Sequence, residues 1–209
     1  MNIDPIAVAI SFGIILLSLT IHEAAHAWTA DKLGDPTARA LGRVSLNPLV
    51  HIDWIGTVLL PLIAMVSRFP LIGWAKPVPV VLRNLRHPRR DFMIVAAAGP
   101  ISNILQAIVG AGLFRLVWDP ALGSDNGMMP SVLFLFVRTN LVLAFFNLIP
   151  VPPLDGGNVL LGLLPPNLAR GYAQLHQYGF IVLYVLMFTG AASAFILPPT
   201  QFVMSLLIP

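Results

Sequence analysis

Residues 5–30 read PIAVAISFGIILLSLTIHEAAHAWTA, an apolar stretch in which Glu23 is the only acidic residue. The residues before it include Asp4 but no basic side chain, which does not fit the start of a secretory signal. The apolar run also continues past Ala25-His26-Ala27, the one place that loosely resembles a signal cleavage site. We therefore predict a retained membrane helix.

The composition of the whole chain supports a membrane location. Of its 209 residues, 57% are hydrophobic and 10% are charged, whereas globular proteins carry roughly 25% charged residues. A net charge of +3 fits basic loops at a membrane face better than a basic surface that binds the phosphate backbone of a nucleic acid. We therefore exclude a nucleic-acid-binding module. Because the chain has no Cys, disulfides and thiolate zinc sites are also excluded, and any metal must use His and carboxylate ligands.

Further apolar segments predict more membrane helices. Phe92–Phe114 is uncharged and long enough to span a bilayer, Gly171–Pro209 lacks charged residues, and Ser131–Leu154 is interrupted only by Arg138. The stretch Ile55–Trp74 is apolar but contains two prolines and an arginine. We predict an all-α polytopic membrane protein, a helix bundle that residues 1–209 form as a single domain.

A metal-binding motif lies within the first helix. In His22-Glu23-Ala24-Ala25-His26 the two imidazoles are four residues apart, so they lie on one helix face and can bind one zinc ion. Glu23 follows the first ligand and can polarise a water on the metal. Glu23 is also the only Glu in the chain, and a charge near the bilayer interior costs at least ~2.5 kcal/mol, so its position calls for a function.

A third ligand is expected because catalytic zinc usually has three protein ligands and one open position. Asp155 is the best candidate, since it lies near the end of the proline-rich segment NLIPVPPLDGG of residues 147–157, directly after a predicted membrane helix. Non-helical backbone at membrane depth is tolerated only where it is buried in protein or lines a wet cavity. An Asp-Gly turn is the alternative, and the His pair favours the ligand.

Together, HEAAH and the distant NLIPVPPLDGG resemble the site-2 protease family of intramembrane zinc metalloproteases. Shorter segments similar to the short prokaryotic members occur in the same order between these motifs and cover nearly the whole chain. They are residues 34–39, 42–48, 51–53, 73–79 and 98–103.

The resemblance implies peptide-bond hydrolysis within the membrane, with a transmembrane protein as substrate and the lipid bilayer as surroundings. It implies one Zn²⁺ per chain, bound by His22, His26 and Asp155, with Glu23 as general base. Asn103, in a Gly-x-x-x-Asn motif, would hold the substrate or its oxyanion, although an Asn in a membrane helix often only bridges helices. Arg138 has no counterpart in the family pattern.

The proposed ligands also constrain the topology. They must lie at one depth, so an even number of crossings separates them, and residues 92–118 and 131–150 already supply two. We therefore predict that residues 55–74 re-enter the membrane and return to the same side. Basic residues both precede and follow this segment, which makes that side cytoplasmic and places the active site toward it. Irregular backbone around 42–79, including a candidate short membrane-associated β-hairpin, would offer an edge to an unwound substrate.

Two other functions compete with proteolysis. A membrane metal-binding or ion-transport protein would also place acidic residues and broken helices at membrane depth. Against it, the chain has no inverted repeat, and an ion path does not need a Glu between the two His. An inactive scaffold of the same fold is disfavoured because His22, Glu23, His26 and Asp155 are all present.

Overall fold

The computed structural model describes residues 4–60, 63, 75–125 and 127–209, and these residues are predominantly helical. Their α-helices, in chain order, are α1 (Pro5–Lys32), α2 (Thr37–Ala40), α3 (Pro88–Val117), α4 (Met128–Asn147), α5 (Asp155–Leu163), α6 (Pro166–Ala173), α7 (Gly179–Phe188) and α8 (Ala191–Leu207). Short 3₁₀ turns at Pro48–Val50, Leu82–Asn84, Pro120–Asp125 and Gln174–Tyr178 and a π-helical turn at Trp54–Leu59 connect them.

The two long helices that frame the site begin with proline and a local cap. The Asp4 carboxylate accepts a hydrogen bond from the backbone N–H of Ile6 at 2.9 Å, at the start of α1. At the start of α3, Asp91 accepts from the N–H of His87 at 2.7 Å. Each cap satisfies an N–H that the helix itself leaves unpaired, so both helix starts are fixed by the sequence.

Helix α3 is the centre of the bundle and packs against α1, α4 and α5. Its buried face carries small residues at helical spacing, among them Ala96, Gly99, Ala107 and Ala111. Small side chains let membrane helices approach closely, which increases the van der Waals contact between them. This contact matters because the hydrophobic effect does not drive helices together within lipid. This close approach brings polar side chains of three helices together.

Three described helices, α1, α3 and α4, are long and apolar enough to cross a membrane. They match the predicted segments 5–30, 92–114 and 131–154, and the multi-pass prediction is confirmed. The uncharged C-terminal region forms a further pair, Pro166–Phe188 and Ala191–Leu207, bent by 72° at Gly190, where φ is +78°. Glycine reaches this left-handed conformation without strain.

The predicted re-entrant segment 55–74 falls largely on residues 61–62 and 64–74, which lie outside the described residues, and it stays a prediction. Trp54–Leu59 begins this segment, and the Asp53 carboxylate caps it by accepting from the N–H groups of Ile55 and Gly56. No β-strand occurs among the described residues, so the candidate β-hairpin is not found there. Residues 75–81 have no regular secondary structure.

Arg138 lies in the middle of α4 with its side chain exposed on the bundle surface. No hydrogen bond or ion pair links it to any residue that the structure describes.

Candidate metal centre

Two imidazoles and one carboxylate converge inside the bundle. His22 and His26 are buried on the last third of α1, and their Nε2 atoms are 3.1 Å apart. Asp155, the first residue of α5, places Oδ2 3.1 Å from His22 Nε2 and 3.4 Å from His26 Nε2. The three residues that the sequence singled out as candidate ligands are therefore brought to one point.

The convergence fits a metal ion. Zinc holds nitrogen and oxygen ligands at about 2.0–2.2 Å in tetrahedral geometry, which separates the ligand atoms by about 3.3–3.5 Å. The three observed separations lie at or slightly below this range. Asp155 Oδ2 is also buried and accepts no hydrogen bond from the described residues, which a bound cation would resolve. Within the described chain this is the only such group of His, Asp and Glu side chains.

The second nitrogen of each imidazole is held by an acceptor. His26 Nδ1 lies 2.7 Å from the backbone carbonyl of Val95, and His22 Nδ1 lies 2.6 Å from Asn103 Oδ1. A carbonyl oxygen accepts only, so in both rings Nδ1 carries the hydrogen and Nε2 has a free lone pair. This is the tautomer that a ligand bound through Nε2 requires.

Asn103 lies behind His22 and not beside the open cavity. Its side chain has no exposed surface and does not line the cavity. Oδ1 faces His22, while Nδ2 donates to Oδ1 of Asn140 on α4 at 2.9 Å. Asn103 therefore bridges two helices, which is one of the roles that the sequence left open, and it also contacts a candidate metal ligand.

Gly99 is required for the close approach of α3 to the imidazoles. A Cβ atom at this position would lie under 3.0 Å from His26 Nε2 and from Cε1 and Nε2 of His22. The Gly-x-x-x-Asn spacing is a sequence signal for this contact, because it places Gly99 one turn before Asn103 on the same face. The rings that occupy this space belong to α1, so it is another helix that approaches α3 at Gly99.

Gly156 and Gly157 play the same part at the start of α5. A Cβ at either would collide with the backbone of residues 148–152, which packs tightly on the helix start. The prolines extend this loop, and the glycines let it fold back against α5. The LDGG sequence thereby fixes where Asp155 begins its helix.

The site opens into a cavity of about 740 Å³. We call its helical side, which carries His22, Glu23, His26 and Asp155, the metal wall. Glu23 is partly exposed to the cavity, and no described residue hydrogen-bonds its carboxylate. Most other lining side chains are apolar, such as Phe12, Leu19 and Phe146. An acidic side chain that shares an apolar cavity with a potential metal position is a candidate general base.

The cavity is also lined by Ala75, Pro77, Val78 and Val80 of the segment that follows residue 74. We call this segment, residues 75–81, and the loop 43–51 that supports it the loop wall. Arg43 is buried and donates through Nη2 to the backbone carbonyls of Lys76 and Pro77. Lys76 N–H in turn donates to the carbonyl of His51 at 2.9 Å. Sequence reasoning gave Arg43 no role, although it lies in a family-like segment.

The loop wall is joined to the end of α1 by Asp35, whose side chain is fully buried. It accepts hydrogen bonds from Val81 N–H at 2.6 Å, Asn84 Nδ2 at 2.9 Å and both the N–H and the hydroxyl of Thr37. Burial alone would raise the pKa of this carboxyl, but the hydrogen bonds outweigh burial and lower the pKa below its ordinary value. Asp35 is therefore ionised near neutral pH and acts as a structural anchor.

Comparisons with known proteins agree with this geometry. A model of Peptidase family M50 matches residues 123–190, which include Asp155. The candidate zinc metalloprotease YwhC of Bacillus subtilis (strain 168) is 39% identical over 189 residues, which cover 88% of this chain and 82% of that protein. The candidate zinc metalloprotease Rip2 is 37% identical in Mycolicibacterium smegmatis, over 84% of this chain and 65% of that protein.

Rip2 of Mycobacterium tuberculosis (strain ATCC 25618 / H37Rv) is 31% identical over 88% of this chain and 70% of that protein. No solved structure matches the chain significantly. These similarities cover 84–88% of this chain. The chain belongs to peptidase family M50, the site-2 protease family.

Proposed function

We propose that this protein is an intramembrane zinc metalloprotease that hydrolyses peptide bonds in or near the transmembrane segments of membrane proteins. The observation that carries the proposal is the convergence of His22 Nε2, His26 Nε2 and Asp155 Oδ2 beside the free carboxylate of Glu23. These groups lie on or between helices long enough to span a bilayer, so the reaction takes place at membrane depth.

His22, His26 and Asp155 would hold the zinc, and the cavity that they line would admit water and substrate. Bound zinc supplies a Lewis acid that polarises a carbonyl and acidifies a water. The Glu23 carboxylate takes a proton from water and passes it to the nitrogen of the leaving amine. Asn103 contributes by holding the His22 ring through Oδ1, so we assign it to positioning a ligand and not to direct contact with the oxyanion.

The substrate must enter the cavity as unwound chain, because a helix has its peptide carbonyls already paired. The cavity lining is mostly apolar, which suits side chains from a membrane segment. Ala75, Pro77, Val78 and Val80 line the same cavity as the candidate ligands, and this segment without regular secondary structure would offer peptide groups to an unwound substrate. Substrates with helix-breaking residues near the cut are therefore favoured.

We assign the site to the cytoplasmic half of the membrane. Lys76 N–H donates a hydrogen bond to the carbonyl of His51, so the residues on either side of the segment 52–75 lie close together. A single crossing would separate these ends by about 30 Å, which supports re-entry. Basic residues flank this point on both sides, and the positive-inside rule assigns such a face to the cytoplasm.

Cysteine labelling tests the orientation without removing native Cys, because the chain has none. Cys introduced at Thr37 and at Arg86 should react from the cytoplasmic side, and Cys at Asp125 from the other side. Labelling of positions 86 and 125 from the same side would contradict both the orientation and the re-entrant segment.

Proteolysis is tested with detergent-purified protein and a peptide that contains one transmembrane helix, with and without a zinc chelator. His22→Ala, His26→Ala and Asp155→Ala should lose both zinc and cleavage, whereas Glu23→Gln should keep about one zinc per chain and lose cleavage. His176→Ala is the matched control, because His176 is exposed and far along the chain from the site. Zinc binding without any cleavage by the unaltered protein would favour the metal-binding or transport alternative.

A further inference from the structure

Three buried polar side chains connect the metal centre to the far side of the bundle. Ser18 on α1, Asn103 on α3 and Asn140 on α4 have no exposed surface. Asn103 reaches His22, but Asn140 and Ser18 touch neither the candidate ligands nor the cavity. Buried amides in a membrane bundle are costly unless every polar atom is paired, so this group needs an explanation.

The hydrogen bonds form one directed chain. Asn140 Nδ2 donates both to the backbone carbonyl of Phe136 and to Ser18 Oγ, each at 3.0 Å. Asn103 Nδ2 donates to Asn140 Oδ1 at 2.9 Å, and His22 Nδ1 lies 2.6 Å from Asn103 Oδ1. The chain therefore runs from a backbone carbonyl of α4, through two amides, to a metal ligand on α1.

The Phe136 carbonyl fixes the direction of every link. A carbonyl only accepts, so Asn140 must turn its NH₂ toward Phe136 and its Oδ1 toward Asn103. Asn103 must then present its NH₂ to Asn140 and its own Oδ1 to His22. That oxygen requires a hydrogen on His22 Nδ1, which leaves the lone pair on Nε2 facing Asp155.

We propose that Asn140 is a positioning residue that sets the tautomer and orientation of His22 through Asn103, and thereby the affinity of the site for zinc. The inference rests on the proposed zinc site, and it assigns to the metal centre a residue on a helix that supplies no ligand. His26 needs no such chain, because the Val95 carbonyl fixes its tautomer directly.

Loss of Asn140 frees Asn103 to rotate its amide. Asn103 can then offer NH₂ to His22 Nδ1, which moves the ring hydrogen to Nε2 and blocks the lone pair that zinc needs. Removing an outer partner of a metal ligand typically weakens metal binding 10–100-fold, and the more remote position of Asn140 suggests about tenfold. A residue that only joins helices would change stability and leave zinc affinity alone.

The experiment measures the zinc dissociation constant of full-length purified protein by competition with a chromophoric chelator, together with thermal unfolding of the metal-free protein. Asn140→Leu should weaken zinc binding about tenfold. Gln106→Leu is the matched control, because Gln106 is a buried amide on α3 whose only hydrogen-bond partner among the described residues is the Ser18 carbonyl at 3.5 Å. Gln106→Leu should at most lower the unfolding temperature of the metal-free protein, and its zinc dissociation constant should be unchanged.

A double-mutant cycle tests whether Asn140 acts through Asn103. Asn103→Leu should weaken zinc binding by more than Asn140→Leu, and the double variant should bind zinc as Asn103→Leu does, since the second change has nothing left to transmit. Additive losses would show that Asn140 acts by another route and overturn the proposal.

Asn140→Ala serves the same measurement if the leucine variant does not fold. Zinc affinity within about twofold of the unaltered protein in a folded variant at position 140 overturns the inference, because the outer partner would then contribute almost nothing. That outcome leaves the proposed function intact. An unaltered protein that binds no zinc would contradict the proposed function itself.

Discussion

The two walls of the cavity are held in place in different ways. The metal wall is built on long helices, and its ligands are oriented by side-chain and carbonyl acceptors buried in the bundle. The loop wall has little regular secondary structure and depends on single residues, mainly Arg43 and Asp35, that bind backbone groups. A metal site needs fixed ligand geometry, whereas a substrate-facing wall needs only a defined backbone, so we expect changes in the two walls to have separable effects.

The largest effect is expected at Gly99, on the metal wall. Gly99→Ala would insert a methyl group against the zinc-facing nitrogens of both imidazoles, and the backbone of α3 cannot yield without disturbing the bundle. We expect loss of zinc and at least a roughly hundredfold loss of cleavage, since small displacements at a catalytic centre have effects of that size. Metal analysis and peptide cleavage on one preparation measure both.

Gly112→Ala is the matched control for Gly99→Ala. Gly112 lies on the same helix, but a Cβ there meets nothing within 4 Å, and alanine favours helix by roughly 1 kcal/mol. This variant should keep its zinc and its activity. Normal zinc content in Gly99→Ala would mean that the His rings can move away from α3.

A smaller effect is expected at Arg43, on the loop wall. Arg43→Met removes a charged donor to the carbonyls of Lys76 and Pro77, and such bonds contribute about 1.5–3 kcal/mol each. We expect KM to rise about tenfold or more while zinc content stays at one per chain, because the altered wall faces the substrate and not the metal.

Arg39→Met controls for the loss of a positive charge in the same loop region. Arg39 is exposed and pairs with Asp31 outside the cavity, so its loss should leave KM unchanged. Zinc loss in Arg43→Met, with Arg39→Met normal, would show that the two walls are not independent.

The smallest effect is expected from Asp35, and it depends on pH. Asp35→Asn replaces an acceptor of the Val81 N–H with a group that donates, which should lower the free energy of unfolding by about 2 kcal/mol at neutral pH. The folded protein lowers the pKa of Asp35 below the unfolded value of 3.8. The ionised carboxylate therefore stabilises the fold at pH values above 3.8. This stabilisation is lost as the pH falls through the lower pKa that Asp35 has in the folded protein.

Thermal unfolding of the unaltered protein and of Asp35→Asn, measured from neutral pH to below pH 3.8, tests the Asp35 prediction. The difference in Tm should be largest near neutral pH and shrink below pH 3.8. A difference that stays constant with pH would mean that the charge of Asp35 does not contribute to the anchor.

The metal wall could be predicted from sequence far better than the loop wall. Helices α1, α3 and α4 follow from the length of their apolar runs, and the ligands follow from HEAAH and LDGG. The bonds of Asn140 to other helices and those of Arg43 could not be predicted, because each joins residues 33 or more positions apart, and no local pattern encodes such pairings. Bends such as the one at Gly190 also depend on packing that hydropathy does not describe.

The order of the ligands along the chain has a consequence for biosynthesis. Two proposed ligands lie in the first helix, but the third lies at residue 155, after two further spans. A ribosome-bound chain that has inserted only its first helices holds an incomplete site and cannot bind zinc as the finished protein does. The protein is therefore made without activity, and the enzyme becomes competent only when α5 has folded against α3.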